Sequence, residues 1–389
     1  MTMEMEFKEW FCLKERDSFT IDAKIHPTDA RFYFGRSHLE ERMKNQIKRA
    51  FIDPRVPKMM VWGPYGCGKT QTLYYLACWL ENNKPDSCKS KPHNIHLEIE
   101  VQSKSNASQW HLQNMEALGM QSVQTWLKEL FDKSTNFEQA LGQLTNDPNF
   151  IQAFSHLRGG GDLGFAAWRW LSGQKLSSKE LQEIKVTRNL GEVGVGDLVA
   201  GLQCCGNLAA AVGVCLIFFI DEMEELQNVR EGDAAESWHQ YIRKLADNSN
   251  SSVGFIIGFK ADTRDDAPKV LIRLDVQSRI AANNYIELET LSAPPDVKQF
   301  VKEMLGHLID QKEAEKRIQA DGLPSTVDTY PFTASAFELM CDYACQDVIK
   351  STPRNIIRTI NECAIAAWDK QKKVVDDEIV NAIAPVIFG

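Results

Sequence analysis

Several kinds of signal are missing from these 389 residues, and each gap removes a class of protein. The longest apolar run, Leu208 to Ile220, falls short of the roughly 18 residues that a bilayer-spanning helix needs. The opening MTMEMEFKEW is acidic and amphipathic, with neither a basic start nor an apolar core. No secretory signal is expected, and the expected location is cytoplasmic. The ten cysteines never fall as CxxC; Cys204 and Cys205 are adjacent, and Cys341 and Cys345 lie four apart. Four ligands at finger-like spacing are missing, so buried reduced thiols are expected instead of zinc. The eight histidines form neither HxxxH nor HExxH, which leaves no metalloenzyme signature. Positive charge is in short supply: 44 Lys and Arg face 53 Asp and Glu, for a net charge of -9. That excludes a protein that coats DNA by charge alone. A local basic groove, or one created by oligomerisation, stays open.

What is present describes a globular chain of 43% hydrophobic residues. Its length exceeds what one compact core usually organises, so two domains or a domain plus a lid are expected. Residues 1–34 read as an irregular leader rich in aromatics, among them Phe7, Trp10, Phe11 and Phe19. In YFGRSHLEERMKNQIKRAF, the spacing of Leu39, Met43, Ile47 and Phe51 by fours predicts a helix with one buried face. KMMVWG (58–63) predicts a buried strand, and KTQTLYYLACWLE a helix after it. Residues 82–94 read as a polar loop, and IHLEIEVQ (95–102) as a second, alternating strand. An insertion at about 105–210 is mostly helical, with a flexible link expected at LRGGGDLG (157–164). CLIFFID (215–221), VGFIIGFK (253–260) and NYIELETL (284–291) complete five strands. After SAPPD only helices are expected, at 296–310, 333–349, 354–370 and 376–385. The expected architecture is therefore α/β over 35–292, a parallel sheet flanked by helices, followed by an all-helical lid over 293–389.

GPYGCGKT fits GxxxxGK[ST], between a strand and a helix as the motif requires. Glycines let the backbone turn and aim N–H groups at phosphate oxygens, and the helix N-terminus adds partial positive charge. Gly63, Pro64, Tyr65, Gly66, Cys67, Gly68, Lys69, Thr70 and the following Gln71 form the expected nucleotide-binding stretch. Lys69 would reach the β- and γ-phosphates, and Thr70 would ligate Mg²⁺. CLIFFIDEME supplies the complement. Asp221, at the end of an apolar strand, would hold the hydrated Mg²⁺. Glu222 would orient and deprotonate the attacking water. Because Glu222 is present, hydrolysis of ATP is expected and not binding alone. A competing account of Asp221 and Glu222 is an acidic helix start, since Glu224 and Glu225 follow.

From about residue 31 to 389 this order of parts resembles the AAA+ ATPases, particularly their origin-recognition and initiator-like branch. That resemblance implies a P-loop NTPase fold and further site residues. YFGRSHLEERM is similar to the segment that packs near the adenine, with Gly35 and Arg36 at its turn. RLDVQSRI resembles the stretch that carries an arginine finger, which points to Arg279, with Arg273 as second choice. STPRNIIRTINECA resembles the sensor-2 helix, with Arg354 behind Pro353. A guanidinium fork suits the charge spread over the γ-oxygens in phosphoryl transfer. Arg354 would act within its own chain and Arg279 on a neighbour's site. That implies a homo-oligomeric ring or helical filament of about six or seven subunits. The sequence departs from the family at sensor 1: the fourth strand ends GFKADTR, and Lys260 and Asp262 stand where an Asn is usual.

A second resemblance, over WRWLSGQKL (Trp168–Leu176 and flanks), is to ATP-binding proteins of BREX-type phage-defence loci. The competing account of Trp168 and Trp170 is packing of helices against the sheet. The expected function is an ATP-driven oligomeric switch acting on DNA or a partner protein, in phage defence or mobile-element control. The alternative is a signalling or scaffold ATPase whose nucleotide state controls a partner effector without DNA contact. No winged-helix module is expected after the lid, and with the acidic balance this leaves room for a partner that supplies the output. A metabolic P-loop kinase would need a small-substrate lid in place of the C-terminal helices.

Overall fold

The computed structural model describes residues 6–52, 56–83, 90–102, 105–229, 231–247 and 252–389. They form two compact units. One comprises Arg42–Trp62 and Leu76–Glu287. The other gathers the N-terminal residues through Glu41, the segment Gly63–Tyr75 and Leu288–Gly389.

The first unit is built on a five-stranded sheet: β1 (Lys58–Gly63), β2 (Lys91–Glu98), β3 (Val214–Asp221), β4 (Val253–Lys260) and β5 (Tyr285–Glu287). The strand order is β2-β3-β4-β1-β5, and the β1–β5, β2–β3 and β3–β4 pairings are all parallel. The three inner strands are apolar and buried along almost their whole length, as a parallel sheet covered on both faces requires. The mixed β2 and short β5 occupy the edges. Pro92 is tolerated in β2 because an edge strand can lack one donor.

Two boundaries differ from the sequence reading. β2 begins at Lys91, four residues before the alternating stretch, because it pairs with β3 from Lys91↔Val214 to Glu98↔Asp221. Its first half belongs to what reads as polar loop; residues 84–89 of that loop lie outside the described residues. β5 stops at Glu287, since it has only the end of β1, Met60 to Trp62, to pair with.

The insertion shares a core with the sheet. Trp110, Phe150, Phe154, Trp170, Leu198 and Leu202 are buried together with Phe218 and Phe255. Trp168 and Trp170 are buried, and the Trp170 indole donates to the Arg188 carbonyl at 2.7 Å. Gly206, on helix Val195–Ala211, marks a close approach: a Cβ there would come 2.9 Å from the Ser252 carbonyl. LRGGGDLG is a tight break instead of a slack link. Helices Pro148–Gly159 and Gly161–Leu171 meet at Gly160, where Gly160 and Gly161 take left-handed φ of 72° and 63°.

The second unit has its own core. Helices Pro294–Leu308, Ala334–Gln346, Pro353–Asp369 and Asp377–Phe388 bury Val301, Phe337, Ile356 and Val380. Helix Gln311–Asp321 also falls here, unread from the sequence because its only buried side chain is Ala314. The residues that read as an irregular leader supply part of this core. Phe11 and Phe19 are fully buried, the Lys14 amide donates to the Leu308 carbonyl at 2.8 Å, and the Trp10 indole donates to the Lys372 carbonyl at 3.0 Å. Asp29 is fully buried in the same unit, among Arg16, His307 and the Asp22 amide.

The nine described cysteines are free thiols, seven of them buried. Among the described residues no helix is long and apolar enough to cross a membrane.

Candidate nucleotide site

The loop that follows β1 lies in the helical unit. Gly63 has no room for a side chain: a Cβ would sit 2.4 Å from the Leu288 carbonyl oxygen. Gly66 and Gly68 turn the chain with left-handed φ of 82° and 91°, and the helix Lys69–Asn82 opens directly after them. No heavy atom lies within 4 Å of a Cβ built on Gly68, so the loop presents open space there. Lys69 is only 9% exposed, and its ammonium donates to the Gly63 and Pro64 carbonyls, each at 3.2 Å. Glycine turns, a helix N-terminus and a cation aimed back into the loop are the donor set that phosphate oxygens require. The residues fit the group.

Bracing surrounds this loop. Arg36 is 6% exposed and its guanidinium donates to the Cys67 carbonyl at 2.7 Å and to the Glu289 carbonyl. Arg36 thus reaches the loop's backbone, where the resemblance implied a place beside the nucleotide. Gly35, with φ of 65°, donates its amide to Glu303 Oε2 at 2.7 Å, and a Cβ on it would lie 2.7 Å from the Phe300 Cβ. Gln71 turns away from the loop, its amide donating to the carbonyls of Asp29 at 2.6 Å and Phe32 at 3.2 Å.

Two neighbours escaped the sequence reading. Thr72 is fully buried; its hydroxyl bonds the Gly68 carbonyl at 2.9 Å and lies 3.4 Å from the Tyr33 hydroxyl. Tyr33 stacks on Tyr75 with centroids 5.2 Å apart, and burial pushes its phenol up from the ordinary value. The signal for Tyr33 was its place two residues before Gly35; Thr72 had none.

Arg354 comes to the loop from the C-terminal helices. Thr352 caps helix Pro353–Asp369, accepting from the Asn355 amide at 3.3 Å. The Arg354 amide donates to the Gly66 carbonyl at 3.2 Å, and the guanidinium carbon lies 4.2 Å from the centroid of the Tyr65 ring. The helix start and the loop touch: a Cβ on Gly66 would meet Arg354 Cβ and Thr352 Oγ1 at 3.0 Å.

The sheet unit carries the carboxylates. Asp221 ends β3, is 5% exposed, and accepts from the Glu222 amide at 3.0 Å. Glu222 is exposed and takes φ 60° and ψ 29°, a left-handed conformation unusual for a residue with a side chain. Its acidic followers have structural work: Glu224 accepts from the Lys260 amide at 2.9 Å, and Glu225 from Asn228 at 2.7 Å. Lys260 closes β4, and Asp262 is exposed in the turn beyond it.

Arg273 and Arg279 flank a network in the same unit. Arg273 meets Glu236 at 3.0 Å and Asp275 at 3.6 Å. His239, 3% exposed, lies between those two carboxylates at 3.4 Å and 3.0 Å. Burial raises the Asp275 carboxyl, but His239 and Arg273 outweigh it and hold it below the ordinary value. Arg279 donates to the Asp275 carbonyl and lies 3.8 Å from Asp247, with 30% of its side chain exposed.

No family model matches the sequence, and no curated protein does. Solved structures do. The Aeropyrum pernix ORC2 protein, determined as ADPNP–ADP complexes, aligns at a TM-score of 0.52 with 10% identity, over 92% of this chain and 68% of that one. The Aeropyrum pernix ORC1 protein in complex with DNA aligns at 0.45 with 11% identity, over 94% and 69%. The Thermotoga maritima RuvB Holliday junction branch migration motor aligns at 0.39 with 13% identity, over 92% and 72%. Of these three, the ORC2 alignment alone exceeds 0.5, and what it shares with this chain is the fold. The chain shares with that protein the fold of a parallel sheet flanked by helices with a helical C-terminal region.

Proposed function

We propose that this protein binds and hydrolyses ATP as an AAA+ switch that assembles with copies of itself and acts on DNA or on a partner protein. The observation that carries the reading is the Gly63–Thr70 loop, with left-handed glycines, a nearly buried lysine and the start of helix Pro353–Asp369 seated on Gly66. In this reading the loop amides and Lys69 hold the β- and γ-phosphates. Thr70 and Asp221 are the Mg²⁺ ligands, and the ion would neutralise charge on the phosphate oxygens. Glu222 takes a proton from the attacking water. Arg36 acts through the loop by fixing the Cys67 carbonyl, and Gln71 by fastening the first turn of the loop's helix. Arg354 meets the terminal phosphate from within the chain, and Arg279 from a neighbouring copy.

The net charge of -9 favours a partner protein over bare DNA as what the switch acts on. A scaffold ATPase that controls an effector is the second reading on that ground. Service in phage defence rests on the resemblance at Trp168–Leu176, and mobile-element control on the resemblance to AAA+ switches.

Titration calorimetry and phosphate release test the ATPase reading together. Lys69→Ala is expected to abolish ATP binding. Glu222→Gln is expected to keep binding and to stop turnover; turnover at the unaltered rate in Glu222→Gln would remove Glu222 from the reaction.

A further inference from the structure

The phosphate-loop chemistry leaves one of the loop's own side chains without a task. Tyr65 is 64% exposed. The Arg354 guanidinium lies over that ring at 4.2 Å. The backbone of Arg354 is fixed at the same place by its bond to the Gly66 carbonyl and by the close fit of Arg354 and Thr352 against Gly66. The main chain is therefore set in position while the side chain has a choice of partner. An exposed cation–π contact is weak, whereas a guanidinium forking onto phosphate oxygens makes charge-assisted bonds roughly twice as strong as neutral ones.

We propose that Tyr65 is a positioning residue that holds the Arg354 guanidinium off the phosphate cradle until a nucleoside triphosphate draws it away. The inference rests on the proposed nucleotide function and deepens it, because it assigns the exposed aromatic a part in deciding when the helical unit senses the ligand. The ring competes with the terminal phosphate for one cation. Removing the ring then strengthens triphosphate binding, which is opposite in sign to the loss of a supporting contact.

The test is titration calorimetry of the full chain with a non-hydrolysable ATP analogue. Tyr65→Ala is expected to bind about two- to fivefold tighter, the equivalent of one exposed cation–π contact. Tyr65→Phe keeps the ring and is expected to match the unaltered protein. In an Arg354→Ala background the gain from Tyr65→Ala is expected to vanish. Equal or weaker binding by Tyr65→Ala overturns the proposal, as does a gain that persists without Arg354. Lys69→Ala, measured alongside, separates the two levels. If it loses binding while Tyr65→Ala shows no gain, the phosphate loop stands and the role of Tyr65 falls. If it binds like the unaltered protein, both fall.

Discussion

Glu222 sits in the left-handed region, where a Cβ crowds the following carbonyl at about 1–2 kcal/mol, against the roughly 0.5–1 kcal/mol that glycine loses through unfolded-chain entropy. Glycine would suit this backbone at least as well as glutamate does. Glu222→Gly is therefore expected to melt no lower than the unaltered protein by calorimetry, while phosphate release stops. A clear drop in melting midpoint would show that the Glu222 side chain also serves the fold, and continued phosphate release would remove it from the reaction. Residue by residue, the sequence made the phosphate loop and Asp221–Glu222 legible because each is a local pattern joined to a strand end. It also made Glu222 hard to tell from Glu224 and Glu225, because the Lys260 amide on Glu224 and the Asn228 side-chain amide on Glu225 show only in the folded chain. Arg36 on Cys67 was illegible because that partner, 31 residues away, is chosen by tertiary placement, whereas Thr72 bonds Gly68 one helical turn back, as a threonine in a helix can.

At the scale of elements, strands β1, β3 and β4 were readable because a strand buried on both faces is uniformly apolar. The edge strand β2 slipped by four residues, because its limits are set by pairing with β3 and not by its own alternation. The N-terminal segment misled through its lack of periodicity: it holds its place with buried rings such as Phe11 and Phe19, with carbonyls and with one buried ion pair. Burial alone would raise the Asp29 carboxyl; the His307 Nε2 at 2.8 Å, the Arg16 guanidinium and the Asp22 amide overcome that and bring it down to about 2. A depressed carboxylate stabilises the fold above its unfolded value and stops doing so as pH falls through its folded one. About 2 kcal/mol is thus present at neutral pH and lost between pH 3.8 and about 2. Asp29→Ala, which leaves the Arg16 charge buried without its partner, is expected to cost about 3–5 kcal/mol. Melting curves at pH 7 and pH 3 check both: the variant should melt lower at pH 7, and the gap should narrow in acid. An unchanged gap would mean the ion pair adds nothing to stability.

For the molecule as a whole, the proposed assembly turns on Arg279. Its contacts with Asp247 and the Asp275 carbonyl leave it 30% exposed, which suits a side chain offered to a neighbour. Gel filtration with light scattering is expected to show a shift to high mass with a non-hydrolysable ATP analogue. Arg279→Ala is expected to lose that shift while keeping its melting midpoint. A monomer with and without nucleotide would sink the trans arrangement, and an assembly untouched by Arg279→Ala would sink the assignment. Two domains with a single boundary near Ala293 were the expectation from length and from the change to helices. Membership of the phosphate loop in the helical unit was not legible, because contacts such as Arg354 on Gly66 join residues nearly three hundred positions apart.

The ammonium of Lys69 has a last consequence. It is already out of bulk water and held by two carbonyls of its own loop. The dehydration of that cation occurs when the chain folds, not when a ligand arrives. An incoming anion then exchanges partners with an ordered donor and need not capture a hydrated, wandering one. Less conformational entropy is lost at the moment of encounter, and more of the electrostatic gain is left for affinity.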